Sequence, residues 1–452
     1  MYKMSSLGPR EYIGERDFAE PLKLRGSQLY FEDSSIERLA ETLGTRIYIL
    51  SLKQVERNAK RLTEAFKNYS RFKPCYALAA NSLPQVVQTL VNLGFGVEVV
   101  NIHELNYTLS ALQNVPHIIC NGVSKHTIQN QQNKTLIQTV IDLQKETDIT
   151  LNLNSIEEIK YAKKLCEKRN TELKVGLALN PASHSPANFS PGSERFGIPT
   201  DQLPAAVKLL KNSKLKLEAL QSHIGTQVTQ LNKLVKNANT LSNHAIQIEE
   251  KLGTPIQNIN LGGGIAVNYH KTPHNQGNLN PDYTIEQYAD RVTREVTKVY
   301  GENGATPPTI TIEVGRWLTA NTMILILRVT ETRKPQGEHE WIITDGSALT
   351  DTNDAVWIGQ YFEIINATKI NQKPTNLYNI GGITCDANDA FAWPKNNTGP
   401  RKLPKTEPGD ILTVLDVGAY QLALRNNFNL LPKAPIYNTK GEQIKEPTNN
   451  QQ

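Results

Sequence analysis

The stretch TLNLNSIEEIKYAKKL, residues 150–165, places a short apolar run directly before an amphipathic segment with helical spacing. Ser155 at the junction, with Glu158 three residues later, is the pattern of a capping box, in which each side chain accepts a hydrogen bond from the other residue's backbone N–H. The pattern predicts a strand that ends near Leu153 and a helix that begins after Ser155. A strand followed by a helix is the unit from which parallel sheets are built.

The same alternation extends from Arg46 to Arg316. Apolar runs occupy residues 47–50, 97–100, 117–120, 150–153, 175–179, 259–261 and 309–312. So many repeats favour a (β/α)8 TIM-like barrel, with a doubly wound parallel sheet as the alternative. After Trp317, β-branched runs separated by Gly, Pro and Asn replace the helical spacing. This change predicts a C-terminal antiparallel β domain.

The amino-acid composition indicates which partners and structural sites are not expected. The 452 residues carry a net charge of +5, and the basic residues are interspersed with acidic ones, so nucleic acid is not an expected partner. The four cysteines lie far apart, which predicts neither a zinc site nor a disulfide framework and fits the reducing cytoplasm. We expect no membrane partner, because no stretch approaches eighteen apolar residues.

Four groups of residues follow predicted barrel strands, where barrel enzymes place their sites. The first, residues 76–82, is a small-residue strand end with Ala79 at its centre. The second contains His223 and Thr226; the histidine could pack against a planar ligand and the threonine could bind an anion, although a histidine bonded within a loop gives the same pattern.

The third group is Gly262-Gly263-Gly264, whose unobstructed N–H groups predict an anion nest, with a tight turn as the alternative. The fourth is Glu313-Val314-Gly315-Arg316. Its carboxylate and guanidinium could form an internal ion pair or hold opposite ends of one ligand. Two further groups lie in the predicted β domain, Cys385-Asp386 and Gly418-Ala419-Tyr420. Considered alone, each such group more often has a structural role than a catalytic one.

Taken in order, these segments resemble the fold-type III pyridoxal phosphate (PLP) decarboxylases, the family that contains diaminopimelate and ornithine decarboxylases. The resemblance covers roughly residues 40–430 and rests on the following motifs: Tyr76-Ala77-x-x-Ala80-Asn81, Val99-Val100 with Glu104-Leu105, Asn154-Ser155 with Glu157-Glu158, Asn180-Pro181, Ser193-x-Arg195-Phe196-Gly197-Ile198, His223-Ile224-Gly225-Thr226-Gln227, Gly262-Gly263-Gly264, Glu313-x-Gly315-Arg316, Cys385-Asp386-x-x-Asp389, Gly418-Ala419-Tyr420 and Asn427-Phe428-Asn429. Each motif is weak alone, and their order makes the set specific.

The resemblance implies PLP as the cofactor. His223 would stack on the pyridine ring and Glu313 would pair with its nitrogen, which keeps the ring an electron sink. The implied cofactor-binding residues are His223, Thr226, Gly262, Gly263, Gly264, Glu313, Gly315, Arg316 and Tyr420. Cys385 would come from the partner subunit of a head-to-tail homodimer with shared active sites and reprotonate the substrate α-carbon. The implied reaction is loss of an amino acid's α-carboxylate as CO2 through a quinonoid.

The resemblance also implies a domain division. Residues 1–45 would join the β domain, residues 46–320 would form the PLP-binding barrel, and residues 321–440 would form the β domain. Separately, the Asn/Gln-rich end of the chain predicts a disordered tail over residues 441–452.

The chain departs from the family pattern at several positions. Ala79 replaces the lysine that holds PLP as a Schiff base, so PLP could be held only non-covalently or as an external aldimine. Ala178 stands where the family usually has an arginine near the cofactor, and Val314 replaces a proline. Two arginines that bind the distal carboxylate of diaminopimelate are absent, which makes that substrate doubtful. Asp386 with Asp354 would instead form an acidic substrate pocket that suits an amine-bearing amino acid, free or conjugated.

Two functions remain open at this point. The chain is a decarboxylase inactivated by a deliberate lysine-to-alanine substitution at Ala79, or a natural pseudoenzyme that serves as a regulatory or Cys385-donating subunit. A related amino acid racemase is a third alternative. Glu313 and the Cys385-Asp386 loop argue against it, because racemases generally avoid a protonated ring nitrogen.

Overall fold

The computed structural model describes residues 21–128, 134–180, 195–269, 280–337 and 339–447. The N-terminal residues 1–20, the motif residues Pro181 and Ser193, and residues 448–452 lie outside this part of the chain. The predicted disordered tail begins at residue 441, but residues 441–447 are described and contain a strand, Gln443–Ile444, that pairs with Ile436–Asn438. The first elements are strands β1 (Leu22–Arg25), β2 (Gln28–Phe31) and β3 (Ser34–Ser35), helix α1 (Ile36–Leu43) and strand β4 (Ile47–Leu50).

Eight parallel strands of the described chain close into a barrel, which confirms the predicted fold. The strands are β5 (Phe72–Ala77), β6 (Gly96–Val99), β7 (Ile118–Cys120), β8 (Ile149–Leu153), β9 (Leu173–Asn180), β11 (Leu215–Gln221), β12 (Asn258–Asn260) and β13 (Thr309–Val314); a short strand β10 (Ile198–Pro199) adds to β9. Each strand pairs with the next, and β13 pairs with β5. A doubly wound sheet would leave two open edges, so that alternative is excluded.

Helices cover the outside of the barrel. They are α2 (Leu52–Ala65), α3 (Pro84–Asn92), α4 (Ile102–Ala111), α5 (Leu136–Leu143), α6 (Ile156–Arg169), α7 (Leu203–Leu210), α8 (Leu231–Leu252) and α9 (Ile285–Glu302). Short helices follow at α10 (Arg316–Thr319), α11 (Ala348–Asp351), α12 (Asn353–Trp357) and α13 (Gln421–Leu424), and 3-10 turns lie at Leu78–Ala80, Thr200–Gln202, Ala320–Thr322, Pro394–Asn396 and Phe428–Leu430.

The predicted capping box of α6 is only half formed. The Ser155 hydroxyl accepts the backbone N–H of Glu158, at 3.2 Å, as expected. The Glu158 carboxylate does not return to Ser155. It accepts instead from the backbone N–H groups of Lys125 and Asn154, at 2.8 and 2.7 Å, and forms a buried ion pair with Lys125 at 2.9 Å. A long-range partner therefore replaces the local one.

The second domain is a sheet built on the long strand β14 (Met323–Arg333). Its other strands are β15 (Glu340–Thr344), β16 (Ile364–Asn366), β17 (Asn376–Gly381), β18 (Ala390–Ala392), β19 (Arg401–Leu403), β20 (Ile411–Val414), β21 (Ile436–Asn438) and β22 (Gln443–Ile444). Most pairings are antiparallel, but β15 with β17 and β21 with β4 are parallel, so the sheet is mixed. The N-terminal elements pack on it through a core that joins Phe31 and Ile36 to Ile324 and Ile326.

One apolar run belongs to a different sheet from the one predicted. We expected Ile47–Leu50 among the barrel strands, but β4 lies in the second domain, antiparallel to β14. All four residues are buried, and such a run fits a barrel strand and a central sheet strand equally well. Separately, no helix of the described chain has both the length and the apolar character that crossing a bilayer requires.

Candidate functional site

A cavity of about 280 Å³ opens at the carboxyl ends of the barrel strands. The described residues that line it are Ala77, Ala79, Glu98, Val100, Asn121, Gly122, Asn152, Asn154, Ala178, Leu179, Phe196, Gly197, Gln221, His223, Thr226, Gly263, Gly264, Ile265, Glu313, Val314, Gly315, Arg316 and Tyr420. All four of the groups that follow predicted barrel strands therefore contribute residues to one cavity. The glycine group contributes only Gly263 and Gly264.

Arg316 forms the cationic end of the cavity. Its side chain is buried, because α10 begins at the end of β13 and points the guanidinium inward. The guanidinium donates to the Thr226 hydroxyl at 3.2 Å and to the Tyr269 hydroxyl at 3.0 Å, and it lies 4.7 Å from the ring centre of Tyr420. It also lies 3.7 Å from the Asp354 carboxylate. Charged and hydroxyl donors at this end suit an anion.

The glycine loop differs from the predicted anion nest. The N–H of Gly262 donates to the Asn260 side chain at 2.9 Å, and the N–H of Gly263 donates to His223 Nδ1 at 3.0 Å. Two of the three N–H groups are thus already used within the protein. Gly264 is required for close approach, because a Cβ there would lie 2.5 Å from the Gly225 carbonyl oxygen and its φ is +100°.

Glu313 forms the opposite end. Its carboxylate accepts from Asn121 at 2.8 Å, from Asn260 at 2.7 Å and from Gln221 at 3.4 Å. The same Asn121 amide nitrogen donates to Glu98 at 3.0 Å. Burial raises the pKa of Glu313, and the amide donors oppose the rise. Two carboxylates therefore share one amide at the cavity wall.

His223 lies on the wall between these ends. Because Nδ1 accepts from Gly263, the imidazole is held in one orientation. Burial among protein atoms lowers the pKa of His223 to about 4, although the ring is accessible from the cavity and water there opposes this lowering. The ring is thus neutral at physiological pH and presents an uncharged flat surface.

Ala79 lies in the 3-10 turn after β5 and lines the cavity with its methyl group. Ala178, at the end of β9, lines it from another strand. Tyr420 reaches the cavity from the second domain, and its N–H donates to the Ala80 carbonyl at 2.6 Å. Its φ of +67° is uncommon for a non-glycine residue, and such conformations concentrate at functional sites.

Four predicted residues do not line the cavity within one chain. Cys385 is exposed, and its sulfur accepts from Asn429 at 3.5 Å. The Asp386 carboxylate accepts the Asn388 N–H at 2.7 Å within its own loop. Asp354 is buried against Arg316 and accepts from Gln421 at 3.1 Å, so it is not an open carboxylate facing a substrate. Gly262 lies behind the cavity wall, in close contact with His223.

The site also contains residues that the motifs did not single out. Asn121, Gln221 and Tyr269 contact Glu313 or Arg316, and Glu98 shares Asn121 with Glu313. The sequence contained a signal for two of these residues. Glu98 is a carboxylate inside an apolar barrel strand, and Gln221 is the last residue of another barrel strand. Barrels place functional groups at those strand ends.

Comparison with known proteins agrees with this geometry. The family model of the pyridoxal-dependent decarboxylase pyridoxal-binding domain matches residues 52–320. The chain is similar to diaminopimelate decarboxylases of Methanocaldococcus jannaschii, at 26% identity over 93% of each chain, and of Archaeoglobus fulgidus, at 25% identity over 90% of each. The crystal structure of the M. jannaschii enzyme superimposes with a TM-score of 0.80, at 24% identity, over 94% of this chain and 95% of that one. The matched segment contains the whole barrel and more than half of the sequence, and the chain therefore belongs to the pyridoxal-dependent decarboxylases.

Proposed function

We propose that this chain binds pyridoxal phosphate in the barrel cavity without a covalent bond, on the scaffold of an amino acid decarboxylase, and is inactive with alanine at position 79. One observation carries the proposal. A single cavity joins the anion-binding end at Arg316 and Thr226 to the acidic end at Glu313, and Ala79 lies on its wall.

The side chains fit a small phosphorylated pyridine. The cavity volume of about 280 Å³ is close to the lower end of the roughly 300–1,000 Å³ range of small-molecule pockets. The glycine at position 264 allows the loop to pack where a methyl group would collide with Gly225.

Different residues would bind different parts of the cofactor. Arg316, Thr226, Gly264 and Tyr420 would hold the phosphate, and the His223 ring would lie against the pyridine. Glu313, oriented by three amide donors, would hold the ring nitrogen. When bound, PLP supplies an electron sink for the electron pair left by loss of an α-carboxylate as CO2.

Ala79 explains the proposed inactivity. A methyl group has no lone pair and cannot form or exchange a bond with the aldehyde carbon, which a lysine amine at this position would do. Every other contact named above is independent of that side chain. We therefore expect binding to survive and turnover to be lost.

The test is the substitution Ala79→Lys. After PLP addition and borohydride reduction, peptide mapping should find the label on residue 79 of the variant and no covalent label on the unsubstituted chain. The variant should also release CO2 from at least one basic or acidic amino acid. Ala111→Lys, at the exposed end of α4, is the matched control and should do neither. Failure of both chains to bind PLP, or no CO2 from any amino acid with the variant, would refute the proposal.

A pseudoenzyme is the second candidate, and Ala178 on the cavity wall favours it, since it is a second departure from the family pattern near the cofactor. This function would also use the Cys385 thiol. That thiol is exposed and lies outside the cavity of its own chain, so it is available to another subunit. The chain would then donate Cys385 to the active site of a lysine-bearing relative. Co-purification with such a relative, and loss of the relative's activity with Cys385→Ser, would support this function. A stable head-to-tail homodimer without any such partner would count against it.

The proposed substrate class is an amino acid, free or conjugated to a larger molecule. Because Asp354 is committed to Arg316, Asp386 is the remaining acidic candidate for a distal amine. Calorimetric titration of the unsubstituted chain loaded with PLP should show tighter binding of L-lysine than of L-glutamate, whose distal end carries a carboxylate and no amine. Tighter binding of the dicarboxylic amino acid would exclude the amine-bearing class.

A further inference from the structure

Two buried carboxylates flank the strand that leads to Ala79. Glu98 lies on β6 in register with Ala77 of β5, and Glu313 lies on β13, in register with Cys75 on the other side of β5. Both line the cavity, and their exposed fractions are only 6% and 5%. The Asn121 amide nitrogen joins them, at 3.0 Å from Glu98 and 2.8 Å from Glu313.

Nothing cationic balances this pair within the described lining of the cavity. That lining contains one arginine, Arg316, and no lysine. Arg316 already lies 3.7 Å from Asp354 and bonds to Tyr269. The buried amine of Lys125 does not line the cavity and is paired with Glu158 at 2.9 Å.

The space beside the carboxylates is bounded by small side chains. Ala77, Ala79 and Ala178 all line the cavity, and Ala77 lies in register with Glu98 on the neighbouring strand. Glu98 has one described donor, the Asn121 amide at 3.0 Å, so its second carboxylate oxygen suits a ligand group that carries N–H bonds and positive charge.

A buried carboxylate pair has two ways to avoid the cost of two uncompensated charges. It can take up a proton, or it can bind a cation. The first route is open here, since burial and the neighbouring Glu313 and Glu104 raise the pKa of Glu98 well above its ordinary value. The second route requires cationic groups on the ligand, because the described wall offers none. A protonated ring nitrogen at Glu313 would balance one carboxylate and leave Glu98 to be balanced by a second cationic group.

We propose that this cavity selects phosphorylated pyridines that carry their own ammonium group, with pyridoxamine 5′-phosphate as the preferred ligand, and that Glu98 is the residue that confers the selection. The inference rests on the proposed function, because the phosphate is held at the Arg316 end. The amine that a lysine at position 79 would provide is instead supplied by the ligand.

The test compares three ligands that share the ring and the phosphate. Pyridoxamine 5′-phosphate carries an ammonium group, pyridoxine 5′-phosphate a hydroxyl group, and PLP an aldehyde. Titration calorimetry in an amine-free buffer should show that the first binds at least about tenfold more tightly than the second, the gain of one charge-assisted hydrogen bond. Glu98→Gln should remove most of this preference. Glu218→Gln, a carboxylate of strand β11 paired outside the cavity with Lys174, should leave it unchanged.

Ala79→Lys provides a second test if Glu98→Gln folds poorly. An ammonium group placed beside Glu98 should abolish the preference for pyridoxamine 5′-phosphate over pyridoxine 5′-phosphate. Equal affinities of the unsubstituted chain for these two ligands would overturn the inference and leave the proposed function intact, since a proton would then neutralise the pair. If none of the three ligands bound, the proposed function itself would fail, and the inference with it.

Discussion

The guanidinium of Arg316 lies 3.7 Å from the carboxylate of Asp354, and both side chains are buried. Asp354 belongs to the second domain and Arg316 to the end of a barrel strand, so this ion pair ties the domains together at the cavity. A phosphate that binds Arg316 would therefore compete with the Asp354 carboxylate for the positive charge of the guanidinium.

Asp354→Asn should therefore strengthen phosphate binding and weaken the ligand-free fold. We expect inorganic phosphate and PLP to bind about three- to tenfold more tightly, because a competing carboxylate is removed. The free energy of unfolding should fall by roughly 1–3 kcal/mol, less than the about 3–5 kcal/mol of a close buried pair, because Arg316 keeps Tyr269 and Thr226. Calorimetry measures the affinities for phosphate and PLP, and urea unfolding measures the free energy of unfolding. Asp351→Asn, which breaks the buried pair with Arg46, should destabilise the chain without changing phosphate affinity.

The carboxylate pair at Glu98 and Glu313 should make stability fall as pH rises. Both pKa values are raised in the folded chain, so the folded state binds more protons than the unfolded one above pH 4.5, the ordinary glutamate value. The stabilisation is complete below that pH and is lost as pH rises through the raised values. Each tenfold difference in proton affinity between the folded and unfolded chains corresponds to about 1.4 kcal/mol. His223 acts oppositely below its ordinary pKa of 6.5, since its own pKa is lowered.

Urea unfolding of the ligand-free chain at pH 7 and pH 9 lies above the His223 window. Burial also raises the pKa of Cys75, Cys120 and Cys166, so these thiols lower stability in the same range. Their contribution is common to the unsubstituted chain and the variants, and the comparison between them isolates Glu98. Glu98→Gln should unfold with a smaller difference between the two pH values than the unsubstituted chain. Glu218→Gln should retain the full difference. An unchanged pH dependence in Glu98→Gln would show that the pair does not titrate in this range.

Gly264→Ala should impair both folding and phosphate binding, because the added Cβ would lie 2.5 Å from the Gly225 carbonyl oxygen. Gly253→Ala is the matched control, since Gly253 also has a positive φ, at +70°, but has open space around its Cβ position. Backbone strain should cost each variant about 1 kcal/mol. The collision should cost Gly264→Ala about 1–3 kcal/mol more. Equal losses of stability and unchanged phosphate affinity would show that the glycine loop is not closely packed at the cavity.

Cys385 should react with thiol reagents before any other cysteine. Cys75, Cys120 and Cys166 are buried, and burial raises the pKa of Cys120 to about 12 and of Cys166 to about 11, which leaves little reactive thiolate. Maleimide labelling followed by peptide mapping should find Cys385 alone, and Cys385→Ser should abolish the fast phase. A labelling rate that falls with increasing protein concentration would support burial of Cys385 by a partner subunit. Fast labelling of Cys166 would contradict the described packing.

Local signals predicted much of this molecule. The run of strand and helix patterns predicted the barrel, and the residues placed after the strands, among them His223, Glu313 and Arg316, do meet in one cavity. Predictions failed where two arrangements produce the same local pattern. The apolar run Ile47–Leu50 suits either sheet, and its true neighbours, β14 and β21, are far along the chain. The Glu158 side chain likewise pairs with Lys125 rather than completing the local cap.

By itself, the sequence determined the class of fold, the residue types at the strand ends and the absence of an amine at Ala79, because these depend on composition and short-range spacing. Only the tertiary structure decided which charges meet. Arg316 is paired with Asp354, and Glu98 is brought to Glu313 through Asn121. The physical reason is that electrostatic energies depend on separations of a few ångströms and on burial, and both are fixed by barrel closure and domain packing rather than by order along the chain.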